Sequence, residues 1–287
     1  EFKEHYLNKP FGDVWHKMRS IAYTTHPYRW MTIGAELSHI ENATLEDVKR
    51  FFFKHYRPAN AILTVAGHGT TAQVRQLAEK WFGDIPSGEH YIRHLPQEPV
   101  QTTPRKLEVH ANVPVDAFYK CWHICSRTDR RYYATDLLTE VLSGGGSSRL
   151  FQSLVKEKQL FSNIGCYHFG SIDAGLAAIE GKLVKGVKME EAESAVEAEL
   201  QKIKNTLVEE KELRKVKNKT ESLITFEDMS LMNRAGSLSF CSLLGNTNMI
   251  NEELERYQGV SAAELRQEAE IIFDPNNSVT MYYFGNH

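Results

Sequence analysis

The sequence predicts a mixed helix-and-strand chain organised as two similar domains. Three observations carry that expectation. A length of 287 residues suits two domains of roughly 100 to 200 residues each. A polar stretch with four prolines divides the chain, and one pattern of cap, helix, turn and strand occurs twice.

The repeat aligns TLEDVKRFFFKHYRPANAILTVAG, from Thr44, with SAAELRQEAEIIFDPNNSVTMYYFG, from Ser261. Pro58 falls on Pro275 and Asn60 on Asn277 at a common offset of 217, which also links Thr44 to Ser261, Val48 to Leu265 and Ile62 to Val279. One residue of slip separates Gly67 from Gly285. Such a repeat reads as one unit closing each of two domains, the second complete and the first missing its opening part.

In chain order, Pro10 suits a first helical turn, and Phe11, Val14, Trp15, Met18, Ile21 and Ala22 follow at one-sided helical spacing. HPYRW ends that helix. Thr44 is a candidate N-cap with Glu46 and Asp47 in the first turn, and Leu45, Val48, Phe51, Phe52 and Tyr56 continue to the break at Pro58. Ala61–Gly67 is short and β-rich, so a strand is expected there, followed by a helix through Val74, Leu77, Ala78, Trp81 and Phe82. Pro86 to Pro104 reads as an extended linker. Beyond it, Lys106–Val113 and Ala117–Cys125 read as strands and Arg131–Leu142 as a helix that Gly144–Gly146 stops. A helix over Arg149–Lys158, two or three strands between Phe161 and Leu183, a helix striped by Met189, Ala192, Val196, Leu200, Ile203 and Leu207, and a long helical region from Glu209 to Leu244 complete the pattern. The charge-rich stretch from Val208 to Lys219 reads as a solvated helix face. The expected division is 1–86 for the first domain, 87–104 for the linker and 105–287 for the second domain.

Composition narrows the function. With 34 basic and 37 acidic residues the net charge is -3, which gives no field for a phosphate backbone, so nucleic acid is not an expected partner. No apolar run approaches the roughly 20 residues a spanning helix needs, and no membrane partner is expected. The chain opens on a glutamate inside a charged stretch, which suggests a piece of a longer protein. A cytoplasmic setting is favoured, and a periplasmic one stays open because any signal peptide would lie upstream. Cys121, Cys125, Cys166 and Cys241 are too scattered for a disulfide framework and read as core thiols.

The repeated segments, HPYRWMTIG, RPANAILTVAG, WFGDIP and GGGSSRLFQSLVKEKQLFS together resemble the pitrilysin/insulinase family of zinc metallopeptidases in its short two-domain form, across essentially the whole chain. That resemblance implies an α+β fold: two homologous domains, each a mostly antiparallel sheet packed with helices, closing like a clamshell on an unfolded peptide. It also implies an HxxEH zinc motif in the first domain, with a glutamate further along as third ligand. No HxxEH occurs in this sequence. The nearest pattern, His90 and His94, lies in the linker without a carboxylate. Zinc needs three protein ligands and an open position for water.

The resemblance places the third ligand at Glu1, with Glu4 as the alternative, because EFKEHYLNKPFG matches the family's downstream pattern. Zn2+ is therefore expected in the full-length protein and none in this chain, and no residue here is assigned as catalytic. In active relatives the second domain adds a basic residue and a tyrosine that bind substrate backbone and the developing oxyanion. Here Lys156 stands near the basic position, with Val155 competing for it, and Ser162 stands in place of the tyrosine; both are candidate substrate contacts. Arg149 is read as structural. The implied function is the carboxyl-terminal portion of a zinc-dependent metalloendopeptidase acting on peptides or unfolded segments, itself inactive. The alternative is a non-catalytic homologue that binds peptide or scaffolds an active subunit. Peptide is the expected substrate, and a homo- or heterodimer the expected assembly.

Overall fold

The computed structural model describes residues 4, 6, 8–34 and 36–286. In chain order the elements are α1 (Val14–Ala22), α2 (Leu37–Glu41), α3 (Leu45–His55), α4 (Thr71–Phe82), β1 (Arg105–Ala111), β2 (Ala117–His123), α5 (Tyr132–Ser143), a wide helical turn at Phe151–Glu157, β3 (Phe161–Phe169), β4 (Leu176–Leu183), α6 (Met189–Asn205), α7 (Glu210–Glu227), α8 (Leu231–Leu243), α9 (Met249–Gln258), α10 (Ala262–Ile272) and β5 (Ser278–Gly285). The chain is α+β. It forms two compact units, one from the residues up to Ile33, Pro96–Thr220 and the residues from Glu255 on, the other from Gly34–Leu95 and Glu221–Leu254. The segment 1–86 thus contributes to both.

The first unit holds a five-stranded sheet in the order β1-β5-β2-β4-β3, with β1 and β5 parallel and every other pair antiparallel. One face packs against α1, whose Val14, Met18 and Ala22 are buried with Tyr119, Cys121, Ala178, Val279 and Met281. Arg105 fixes that docking by donating to Ile21 O and Ala22 O at 2.8 and 2.7 Å, which satisfies the carbonyls that end a helix. The other face carries Phe118, Trp122 and Phe161 under α5, α6 and α10, whose Leu137, Leu138, Val196, Leu200 and Leu265 are fully buried. Burial of about 1.5–3 kcal/mol per large apolar side chain is the main force here. Lys120, which alternation points into this layer, is matched by Glu193 at 2.9 Å and by Glu197. All four cysteines are free and buried.

In the second unit α3 and α4 begin with reciprocal capping boxes, Thr44 with Asp47 and Thr70 with Gln73. The expected strand at Ala61–Gly67 does not form. Among the described residues the run has no neighbour in a ladder, and Ile62, Leu63 and Val65 are exposed. A strand exists only through paired backbone groups, so β-propensity alone leaves this segment single. The expected long helix from Glu209 breaks into α7 and α8 at Met229, where Ser230 caps the second piece.

Candidate functional site

The site is built on the segment from Gly144 to Ser162. Gly144 ends α5, and Gly145, at φ +112°, makes a turn that a side chain would strain. Three side chains of α7 then hold the loop. Lys219 donates to Glu140, Lys215 donates to Ser147 Oγ at 3.1 Å, and Arg149 grips Glu212 through Nε and Nη2 at 3.1 and 2.7 Å. Arg149 is therefore structural, and its partner is a carboxylate. The stretch from Val208 to Lys219, expected to be a solvated face, instead anchors this loop, and Leu213 and Val216 are buried.

Phe151–Glu157 is wound more widely than an α-helix, with Lys158 N donating to Ser153 O five residues back at 2.9 Å. Ser153 Oγ donates to the buried Glu199 at 2.6 Å, and Lys202 donates to the same carboxylate at 2.7 Å. Burial works to raise the Glu199 pKa, but the Lys202 and Ser153 hydrogen bonds outweigh it and leave it lowered. Gln159 then turns the chain at φ +53°, a conformation costly for a residue with a Cβ, and Leu160 N returns to Leu154 O at 3.0 Å.

On this support Lys156 is exposed, its Nζ 5.5 Å from the Phe151 ring. Ser162 is exposed at the head of β3, at the register shift between Phe161 and Asn163, and its Oγ donates to Lys182 O at 3.1 Å. The two candidates thus flank one turn, and no described contact joins them. Glu1 lies outside the described residues. Among the described residues no group of three or more His, Cys, Asp or Glu is arranged to hold a metal ion. The described side chains therefore do not fit zinc.

Two further arrangements escaped sequence reasoning. The Glu98 carboxylate accepts from the backbone N–H groups of Thr24, Thr25 and His26 at 2.7–2.9 Å and from Thr24 Oγ1. Burial pushes its pKa upward, but those bonds prevail and hold it at about 2. Tyr132 Oη is also hydrogen-bonded to His168 Nε2 at 3.1 Å, His168 Nδ1 stands 3.7 Å from Asp136, and Asp136 accepts from Tyr257 Oη at 2.6 Å. The bonded partners in both networks are too far apart in sequence for any spacing rule to join them.

Comparison with known proteins defines first a class by fold, that of the M16-type peptidases. A solved protease from Helicobacter pylori superposes with a TM-score of 0.89 at 24% identity, covering 98% of this chain and 69% of its own. A peptidase M16 inactive domain from Pseudomonas fluorescens gives 0.83 at 16% identity, covering 99% and 68%. By sequence the chain belongs to the family described as "Peptidase M16 inactive domain", whose model matches residues 42–220, more than half its length. It is 26% identical over 280 residues to "Zinc protease PqqE" of Helicobacter pylori, and 22% identical over 280 residues to "Uncharacterized zinc protease YmxG" of Bacillus subtilis. Those alignments cover 96% and 94% of this chain but 62% and 65% of the relatives.

Proposed function

We propose that this chain is the carboxyl-terminal portion of a zinc-dependent metalloendopeptidase acting on peptides or unfolded segments, that it is inactive alone, and that it contributes substrate contacts through Lys156 and Ser162. The observation that carries the reading is the built turn between them. Arg149–Glu212, Ser153–Glu199 and the backbone bond from Leu160 to Leu154 stiffen a segment whose exposed side chains include the Lys156 ammonium and the Ser162 hydroxyl. The ammonium suits carbonyl oxygens of an extended peptide, the hydroxyl oxygen can accept from its N–H groups, and a rigid support lowers the entropy lost on binding. The zinc and its general base belong to residues beyond those described, with Glu1 as the proposed third ligand. The division into a first domain at 1–86, a linker at 87–104 and a second domain at 105–287 is part of the same reading.

A second reading, a non-catalytic homologue that binds peptide or scaffolds an active subunit, is favoured by one observation. The Ser162 hydroxyl already donates to Lys182 O, so it offers an oxyanion less than a phenol would. Zinc content and chelator-sensitive cleavage of an unstructured fluorogenic peptide, measured on the full-length protein and on this chain, decide between the two. Stoichiometric zinc and cleavage in the full-length protein alone support the peptidase. Zinc in neither sinks it and leaves the scaffold.

A further inference from the structure

A cavity of about 540 Å³ lies within the first unit, where residues 98–102 pass the end of β2 and the turn between α10 and β5. Ile124, Ile271 and Ile272 give it an apolar wall, and Gln101, His123 and Glu268 a polar one. It shares no lining residue with the turn that carries Lys156 and Ser162.

Two buried acceptors in this wall are unsatisfied. Gln101 is 7% exposed; its Nε2 donates to Asn276 O and Ser278 O at 3.0 and 2.8 Å, which fixes the amide, and its Oε1 has no hydrogen-bond partner among the described residues. Glu268 is 2% exposed; its Oε1 accepts from Thr135 at 3.0 Å, whereas the nearest cation to its Oε2 is Arg131 Nη1 at 4.0 Å, beyond hydrogen-bond reach. His123 Nε2 is also without a partner, and an imidazole nitrogen can accept or donate. Buried polar groups are almost always paired, so acceptors left over at a cavity call for N–H or O–H donors inside it.

Charge selects among donors. Glu98, Glu268 and Asp274 line the cavity against Arg131 alone. Arg131 is engaged by Asp129 through Nε and Nη2, Arg105 by Ile21 O and Ala22 O, Lys204 by Phe273 O, and Arg130 faces Glu264 at 3.5 Å. Glu98 is saturated by four hydrogen bonds and Asp274 accepts from Asn276 N, so both act on a ligand through charge. Burial raises the Glu268 pKa, as expected of a carboxyl short of counter-charge, and lowers that of His123, which leaves the ring uncharged at pH 7.

We propose that this cavity binds a primary ammonium on a short aliphatic stem, its N–H groups donating to Glu268 Oε2 and Gln101 Oε1 and its stem lying against Ile124, Ile271 and Ile272. A guanidinium fits less well, because its planar fork needs two free carboxylate oxygens and Glu268 offers one. A metal ion fits less well again: among the described residues no three His, Cys, Asp or Glu side chains are arranged to hold one, and half of this wall is apolar. The inference is independent of the peptidase reading.

Amide NMR titration of the whole chain with n-butylammonium chloride tests it, with n-butanol and tetramethylammonium chloride as controls lacking the charge or the N–H groups. The expected result is saturable shifts centred on Gln101, Cys125 and Glu268, with binding about tenfold or more tighter than either control. Glu268→Gln keeps the shape and the acceptor for Thr135 and should weaken binding by about tenfold or more. Ile271→Arg, at an exposed position on the rim, should block it by supplying a cation from the chain; thermal melting confirms that both variants are folded. Binding of butylammonium but not of Nα-acetyl-lysine methylamide would uphold the proposal with a free amine as ligand, and equal binding of the two would uphold it with a lysine side chain. Absence of saturable shifts would overturn the proposal and leave the acceptors to water. Equal binding of n-butanol would overturn it too, as would binding that neither variant disturbs.

Discussion

Asn60 and Asn277 make the same hydrogen bond in two settings: Asn60 Nδ2 donates to His55 O at 3.2 Å, and Asn277 Nδ2 donates to Ile272 O at 3.0 Å. Each closes a short turn opened by a proline, after a helix that begins with a reciprocal capping box. Their remaining contacts differ. Asn60 Oδ1 accepts from Tyr91 N at 2.7 Å, on the linker, whereas Asn277 takes His123 N at 3.2 Å and donates to His123 O at 2.9 Å, on β2. The repeated sequence is thus a repeated hydrogen bond, and what it fastens depends on the neighbouring strand.

Asn277→Ala should therefore cost more than Asn60→Ala. The first strands three backbone groups at a partly buried sheet end, at about 2–3 kcal/mol. The second releases groups that water reaches, at about 1 kcal/mol or less. Because the chain has two compact units, hydrogen exchange at β2 and at the end of α3 is the suitable readout. Equal losses at both sites would contradict the argument.

What the sequence made legible were features with a short range. Thr44, Ser261 and Pro58 mark real caps and a real turn, and the apolar stripes of α5 and α6 are buried, except Leu207, which lies beyond the end of α6 and is exposed. Long-range partners were not legible. Nothing in Asp13 announces that Tyr283 Oη donates to it at 2.9 Å, or that α1 packs on the sheet of the later part of the chain. At the candidate site, Lys156 and Ser162 came from resemblance, whereas the support beneath them, Glu199 and Glu212, lies 46 and 63 residues from Ser153 and Arg149 and needed coordinates.

Glu98→Gln should loosen the linker where it crosses Thr24–His26. The carboxylate is held at about 2, below its ordinary 4.5, so its contribution is present above about pH 4.5 and is lost as pH falls toward 2. Solvent reaches this group, which keeps the effect to about 1–2 kcal/mol rather than the full shift. Exchange at the amides of Thr24, Thr25 and His26 should quicken in the variant at pH 7, and the acid dependence should shrink.

His123 and His168 predict a second acid effect with a different window. Burial lowers both pKa values, against Glu98 for His123 and against Asp136 for His168; Arg127 adds to the lowering at His168, and Glu140 opposes it. The folded pKa lies below 6.5, so the unfolded chain takes up protons first, and stability falls as pH drops below about 6.5. Urea unfolding between pH 7.5 and 5 should show a slope of at most about 1.4 kcal/mol per pH unit for each histidine. His168→Gln should flatten it.

Gln159→Gly should stabilise the turn below Lys156. At φ +53° glutamine pays for a conformation that glycine adopts freely, and the relief is about 0.5–1 kcal/mol after the added chain entropy. Gln159→Val should move stability the other way by more than about 1 kcal/mol, because a β-branched side chain tolerates that region worst. Melting temperature reads both changes, and identical values for glycine and valine would remove strain from the account.

Val279 and Ile62 occupy equivalent places in the repeat, and the structure gives them opposite environments. Val279 lies in β5, paired with Arg105 of β1 and Cys121 of β2 and fully buried, whereas Ile62 lies in a run that pairs with no strand among the described residues and is 44% exposed. Val279→Ala removes two buried methyl groups from a sheet interior and should cost about 2 kcal/mol or more through lost transfer and the cavity left behind. Ile62→Ala removes more atoms yet should cost less than about 0.5 kcal/mol, because the side chain is already half in water. Adding a protein that supplies strands to the Ala61–Gly67 run would reverse the order, burying Ile62 and raising the cost of its truncation. Paired urea denaturation of the two variants, monitored by exchange at β5 and at α3, measures the contrast. A large loss for Ile62→Ala in this chain alone would mean that the run is already packed against a surface.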